Sequence, residues 1–143
     1  MVTFEQVKKD LRNLKHLEYS IQTFLIASEK LIRQYENHRE NGATEEQLKR
    51  FKESIDKLDA NEFIKQSILK KEQYFDAISH LEPINQTIII DSVINGETYW
   101  KIGNKLGFSE VAIKKRVNKS IRQIVSHLKK VCNFIIYIFN ISF

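Results

Sequence analysis

One proline and four glycines punctuate this 143-residue chain: Pro83, Gly42, Gly96, Gly103 and Gly107. Everywhere else the backbone is free to continue a helix. Heavy use of Lys, Glu, Gln, Leu and Ile favours that outcome. The chain can therefore fold into little but α-helices, with breaks expected near Gly42, Pro83, Gly96 and Gly107.

Apolar spacing fills the intervals. Thr3-Phe4-Glu5-Gln6 has the capping-box form, in which a hydroxyl and a side-chain amide satisfy each other's orphan backbone N–H groups. Val7, Leu11, Leu14, Ile21, Leu25 and Ile32 follow on one seam, widened by Leu17, Phe24 and Leu31. This spacing predicts a helix to about Asn41, where Asn41-Gly42 supplies a left-handed stop. Thr44-Glu45-Glu46-Gln47 is a second capping box, followed by Leu48, Phe51, Ile55 and Leu58. Asp59-Ala60-Asn61-Glu62 breaks or bends this helix before Ile64, Ile68, Phe75 and Ile78. Two arrangements remain open for this half. An antiparallel hairpin turning at Gly42 suits the short connection. A coiled coil between two chains would give a homodimer, although Glu18 and Ser28 interrupt its seam.

From Thr98 to Val117 the pattern is that of a helix-turn-helix. A short helix with Tyr99, Ile102, Gly103 and Leu106 inward ends at Gly107. Ser109 can cap a second helix that turns Ile113 and Val117 inward and spreads Lys114, Lys115 and Arg116 around the rest. Before it, Pro83 opens a helix carrying Ile84, Ile88, Ile89, Ile90, Val93 and Ile94, which Asn95-Gly96 ends.

Charge follows the same division. Lys and Arg equal Asp and Glu in number before Leu81, so the formal surplus of +5 belongs to the remainder. Between Tyr99 and Lys130, Glu110 is the only carboxylate among many cations. A neutral half joined to a basic half fits a partner-binding region fused to a nucleic-acid-binding one. Cys132 is the only cysteine, which excludes an internal disulfide or a cysteine zinc cluster. His16, His38, His80 and His127 are scattered, so no metal site and no cofactor is expected. No glycine-rich phosphate loop or nucleophile–base pair points to an enzyme. Met1-Val2-Thr3-Phe4-Glu5 lacks a basic segment leading into an apolar run, so the cytoplasm is the expected location.

Leu81-Glu82-Pro83, Ile88-Ile89-Ile90, Asn95-Gly96, Tyr99, Ile102-Gly103, Leu106-Gly107-Phe108-Ser109-Glu110, Ile113-Lys114 and Arg116-Val117 together resemble region 4 of the bacterial sigma-70 family. The resemblance covers about residues 74–128. A short helical N-terminal half ahead of such a domain is similar to phage and prophage transcription regulators of the ArpU and RinA type. It implies DNA binding, control of late phage genes, and contact with RNA polymerase. The sigma region that melts promoter DNA has no counterpart here. Pro83 stands one position later than the family's proline, and Ala112 stands where Thr is common. Gly103 replaces the usual Ala, both being small enough for the helices to cross closely.

Helix geometry selects the residues that face DNA. With Ile113, Val117, Ile121, Ile124 and Leu128 inward, Val111, Lys115 and Asn118 face outward from the first turns, where base edges are met. Val111 suits a thymine methyl, Lys115 a guanine edge and Asn118 an adenine edge. Lys101, Lys114, Lys119 and Arg122 suit phosphates. Arg116 fits a phosphate contact or an ion pair within the domain, and Trp100 is expected to pack.

The uncharged stretch from Val131 to Phe143 is too short to span a bilayer, which needs about 20 residues. Leu128, Val131, Ile135 and Ile138 would let it extend the last helix and cover the N-terminal stripe, while its β-branched and aromatic content would equally suit a strand; packing against the N-terminal helices or a second subunit is the expected arrangement. The expected protein is all-α, with a long N-terminal helical hairpin or coiled coil over residues 1–73. A C-terminal helix-turn-helix domain over 74–130 and an apolar tail over 131–143 complete it. Its expected function is sequence-specific binding of double-stranded DNA. The alternative is a helical protein-interaction module without that activity.

Overall fold

A computed structural model describes the backbone of residues 1–141 and the side chains of residues 1–135. The described residues contain helices and no strand. The order is α1 (Phe4–Glu40), α2 (Glu45–Asp59), α3 (Glu62–Ser79), α4 (Pro83–Ile89), a π-helical segment (Ile90–Ile94), α5 (Tyr99–Leu106) and α6 (Glu110–Ile141). Among the described residues, no helix is long and apolar enough to cross a membrane.

The breaks fall where the sequence places them. Gly42, Gly96 and Gly107 all have positive φ, which an L side chain adopts only with strain. Thr44 forms the complete capping box with Gln47. Thr3 accepts from the Gln6 N–H, but the Gln6 side chain reaches forward to Asp10 instead of back. At the ambiguous Asp59–Glu62 stretch the helix ends. Ala60 closes α2, and the Asn61 side chain accepts from the Ile64 N–H at the start of α3.

The chain divides into two compact units, residues 16–70 and residues 1–15 with 71–143. The sequence sets a division near residue 73; the first turns of α1 nevertheless group with the C-terminal unit. There Val7, Leu11 and Leu14 are buried. The hydroxyl of Tyr74, also buried, donates to Asp10 Oδ2 at 2.7 Å. Burial first, and then the Asp10 carboxylate, push the Tyr74 hydroxyl well above its usual pKa. The core of this unit holds Ile88, Ile89, Ile102, Ile113, Ile121 and Ile124, all without solvent contact. Each such side chain contributes about 1.5–3 kcal/mol. Successive Ile88 and Ile89 are both buried, and the wider turn of the π segment brings Val93 into the core after them.

Residues 16–70 contrast with this. Only Ile21, Ile64 and Ser67 are buried there among the described residues, and α2 buries none of its own. The His38 and Phe51 rings lie 4.9 Å apart on either side of the Gly42 turn. Leu25 and Ile32, expected on the buried seam of α1, are exposed, and so is Phe75 of α3. Length explains part of this. At 1.5 Å per residue α1 is about 55 Å long and α2 about 22 Å, so α2 covers only a fraction of such a seam.

The segment after Lys130 is helical to Ile141, which excludes the strand expected as its alternative. Leu128 is buried, whereas Phe134 and Ile135 are exposed. Ile135 therefore does not cover an apolar stripe as expected, and Leu128 is the last buried side chain among those described on α6. The companion expectation for Ile138 lies outside the described side chains.

Candidate nucleic-acid interface

Helix α5 begins where the Thr98 side chain accepts the Lys101 N–H and ends at Gly107, whose φ of 77° is left-handed. Ser109 then accepts the Ala112 N–H at 3.1 Å and opens α6. Between them the chain folds tightly back, with the Phe108 N–H donating to the Gly103 carbonyl at 2.9 Å. A Cβ at position 103 would lie 2.3 Å from the Phe108 carbonyl oxygen. The expectation that Gly and Ala serve equally there is therefore wrong for this chain. The obstacle is backbone, which cannot rotate aside as a side chain can.

Helix α6 separates its residues by face. Ile113, Val117, Ser120, Ile121, Ile124 and Leu128 are buried. Val111 is 64% exposed, and Lys114, Lys115, Lys119 and Arg122 are exposed with it. Asn118 is half-buried. Val111, Lys115, Asn118 and Arg122 recur at four- and three-residue intervals and form one stripe. Lys101 of α5 is also exposed and lies 3.4 Å from Glu97. Only the Lys101 side of this pair is exposed; the Glu97 side chain is about a quarter exposed, at 26%. Lys105 pairs with Asp91 at 3.3 Å.

Arg116 is half-buried and turned inward. Its Nη1 donates to Asn85 Oδ1 at 3.1 Å, and its guanidinium lies 4.7 Å from the centre of the Phe108 ring. Its hydrogen-bond partner is a neutral amide on α4 and not the carboxylate that an ion pair within the domain would supply. A shallow recess beside it is lined by Glu82, Asn85, Ala112, Lys115, Arg116 and Lys119.

Two features were missed. Trp100, expected to pack, is 63% exposed. In the two turns of α5 the inward places are held by Ile102 and Gly103, and Trp100 falls outside them. The histidines are not all scattered. His127 Nε2 lies 3.0 Å from Asp76 Oδ2, and the His80 ring stacks on His127 with centroids 4.3 Å apart. Asp76 and His80 are one helical turn apart, a spacing visible in the sequence. His127 joins them only through the tertiary fold.

Comparison with protein-family models, with curated proteins and with solved structures finds no match to this chain.

Proposed function

We propose that this protein is a sequence-specific DNA-binding transcription regulator of the phage or prophage type. The supporting observation is the pair α5 and α6, joined by a left-handed glycine and a serine cap. The outer stripe of α6 offers a methyl-bearing side chain, an amide and several cations. Such a pair is a helix-turn-helix, whose second helix has the width and charge that the major groove admits.

In this reading Val111, Lys115 and Asn118 meet base edges. Lys101, Lys114, Lys119 and Arg122 hold phosphates and set the register. Arg116 acts from within, bracing α6 against Asn85. Trp100, exposed on α5, stands beside this surface as a further contact for DNA or for protein. The helices of residues 16–70 form the hairpin or coiled-coil arm and serve self-association, with Leu25, Ile26 and Ile32 among its exposed apolar side chains. Contact with RNA polymerase and late-gene activation follow from the resemblance to sigma region 4 and the ArpU and RinA regulators, and a cytoplasmic location from the character of the N-terminal residues.

The deciding experiment is selection of genomic DNA fragments by the purified chain at ~0.15 M salt. The expected outcome is a discrete enriched site, lost when Lys115 and Asn118 are changed together. Lys115→Ala alone should relax preference at one base position. Lys119→Ala should weaken binding to all sequences alike and reduce the salt slope by about one. Retention of no DNA would replace this reading with that of a helical interaction module.

A further inference from the structure

The C-terminal end of α3 and the middle of α6 bring Asp76, His80 and His127 together. Each offers one donor atom, and the three atoms all lie within 4.8 Å of one another. We propose that these three residues form a binding site for a divalent transition-metal ion, with zinc the ion that the donors suit best.

The chemistry of the donors carries the proposal. Two imidazole nitrogens and a carboxylate oxygen make a borderline set of the kind that zinc accepts, with water completing a tetrahedron. His80 is already oriented as a ligand would be. Its Nδ1 lies 2.8 Å from the Asp76 backbone carbonyl. A carbonyl oxygen only accepts, so in the neutral ring Nδ1 carries the proton and Nε2 keeps its lone pair. A hydrogen bond from the second ring nitrogen to a backbone carbonyl is the usual support of a metal-bound histidine. Ser79 Oγ donates to that same carbonyl at 2.6 Å, which fixes the turn carrying it.

The His80 and His127 rings, tilted against each other with centroids 4.3 Å apart, are close enough to share one dication, and the Asp76 carboxylate balances part of its charge. On binding, the metal replaces the hydrogen bond between His127 Nε2 and Asp76 Oδ2, and the His127 ring proton passes through solvent to Nδ1. Donors bound at about 2.0 Å in a tetrahedron sit roughly 3.3 Å apart. Asp76 and His80 are exposed, so their side chains are free to make that approach. The ion would then cross-link α3 to α6 inside the C-terminal unit. This site is independent of the DNA-binding reading.

Calorimetric titration of the full-length, metal-free chain with Zn²⁺ alone tests the proposal, with Co²⁺ as a spectroscopic probe. The expected result is one ion per chain, an intense visible Co²⁺ band and a raised Tm. Asp76→Asn and His127→Gln should each weaken binding by ~10-fold or more, while His38→Gln should leave it unchanged. A wild-type chain with no stoichiometric binding would overturn the proposal whatever the variants do. Binding that survives both changes, or is lost with His38→Gln, would overturn it equally. Helical content from circular dichroism identifies any variant that fails to fold, in which case the Co²⁺ band of the wild type decides.

Discussion

The two compact units spend their apolar residues differently. The C-terminal unit, with the first turns of α1, encloses isoleucines from four different elements and excludes water from them. Residues 16–70 have nearly as regular an apolar spacing, yet leave Leu25, Ile26, Ile32, Phe63 and Leu69 exposed. Periodicity alone makes an amphipathic helix; it does not supply the surface that covers it. The C-terminal unit has that surface because short helices cross at Gly103 and at the α4–α6 contact. In residues 16–70 the short α2 buries none of its own residues, so the apolar face of the longer α1 is left largely open.

Substitutions can break or sharpen this contrast. The largest effect is expected from Ile121→Ala, which opens a cavity where no water reaches and should cost about 2–5 kcal/mol. Leu25→Ala, at a position 54% exposed, should stay within about 0.5 kcal/mol. Urea denaturation compares the two, and equal losses would erase the contrast.

Tyr74→Phe comes next. It removes the hydrogen bond to Asp10 that ties α1 to the C-terminal unit, a charge-assisted contact worth about 1.5–3 kcal/mol. Its pH dependence has a definite sign. Burial and Asp10 raise the folded pKa of Tyr74 above its ordinary value of 10.0. The contribution is therefore complete below about pH 10 and declines as the pH rises beyond it. The stability gap between wild type and Tyr74→Phe should be constant from neutral pH to pH 10 and narrow above. A gap that widened there would contradict the arrangement.

Gly103→Ala sets two effects against each other. Alanine gains ~1 kcal/mol in helix propensity, but its Cβ meets the Phe108 carbonyl oxygen at 2.3 Å. Forcing such contacts costs typically about 1–3 kcal/mol. The obstructing oxygen is backbone and the Cβ is held rigidly on its own backbone, so a net loss is expected, read as a lowered Tm. A stabilised variant would mean that α5 and α6 can part without cost. The smallest effect has the opposite sign. Ser120 is fully buried on α6 and its hydroxyl has no hydrogen-bond partner. Ser120→Ala relieves that desolvation and should raise stability by about 1 kcal/mol. A loss would reveal a bonded hydroxyl.

What could be read from the sequence was mostly local. The Thr44, Thr98 and Ser109 caps, the left-handed glycines and the inward face of α6 all depend on residues a few places apart. Contacts made over long separations were not legible. Asp10 and Tyr74 are 64 residues apart, and Asn85 and Arg116 are 31 apart. Nothing near Arg116 announces that a neutral amide will hold it. The π segment hid for another reason. Ile88-Ile89-Ile90 fits a continuous helix as well as a widened one, and only packing selects between them. Of the candidate site, the exposure of Val111, Lys114, Lys115, Lys119 and Arg122 was legible, because it follows from the angular step of a single helix. The exposure of Trp100 was not, since its place at the edge of a two-turn helix left both outcomes open.

Helix α6 runs from Glu110 to Ile141 without interruption, and among its described side chains Leu128 is the last that is buried. At 1.5 Å per residue it is a rod of about 48 Å, of which roughly 20 Å follows Leu128. No proline or glycine follows Gly107, so the rod has no built-in joint. Whatever grips its far end also holds the stripe of Val111, Lys115 and Asn118, with nothing between them to absorb a twist. The helix thus couples its far end to its first turns, and a movement imposed at the tail is passed along one continuous element to the side chains at its front.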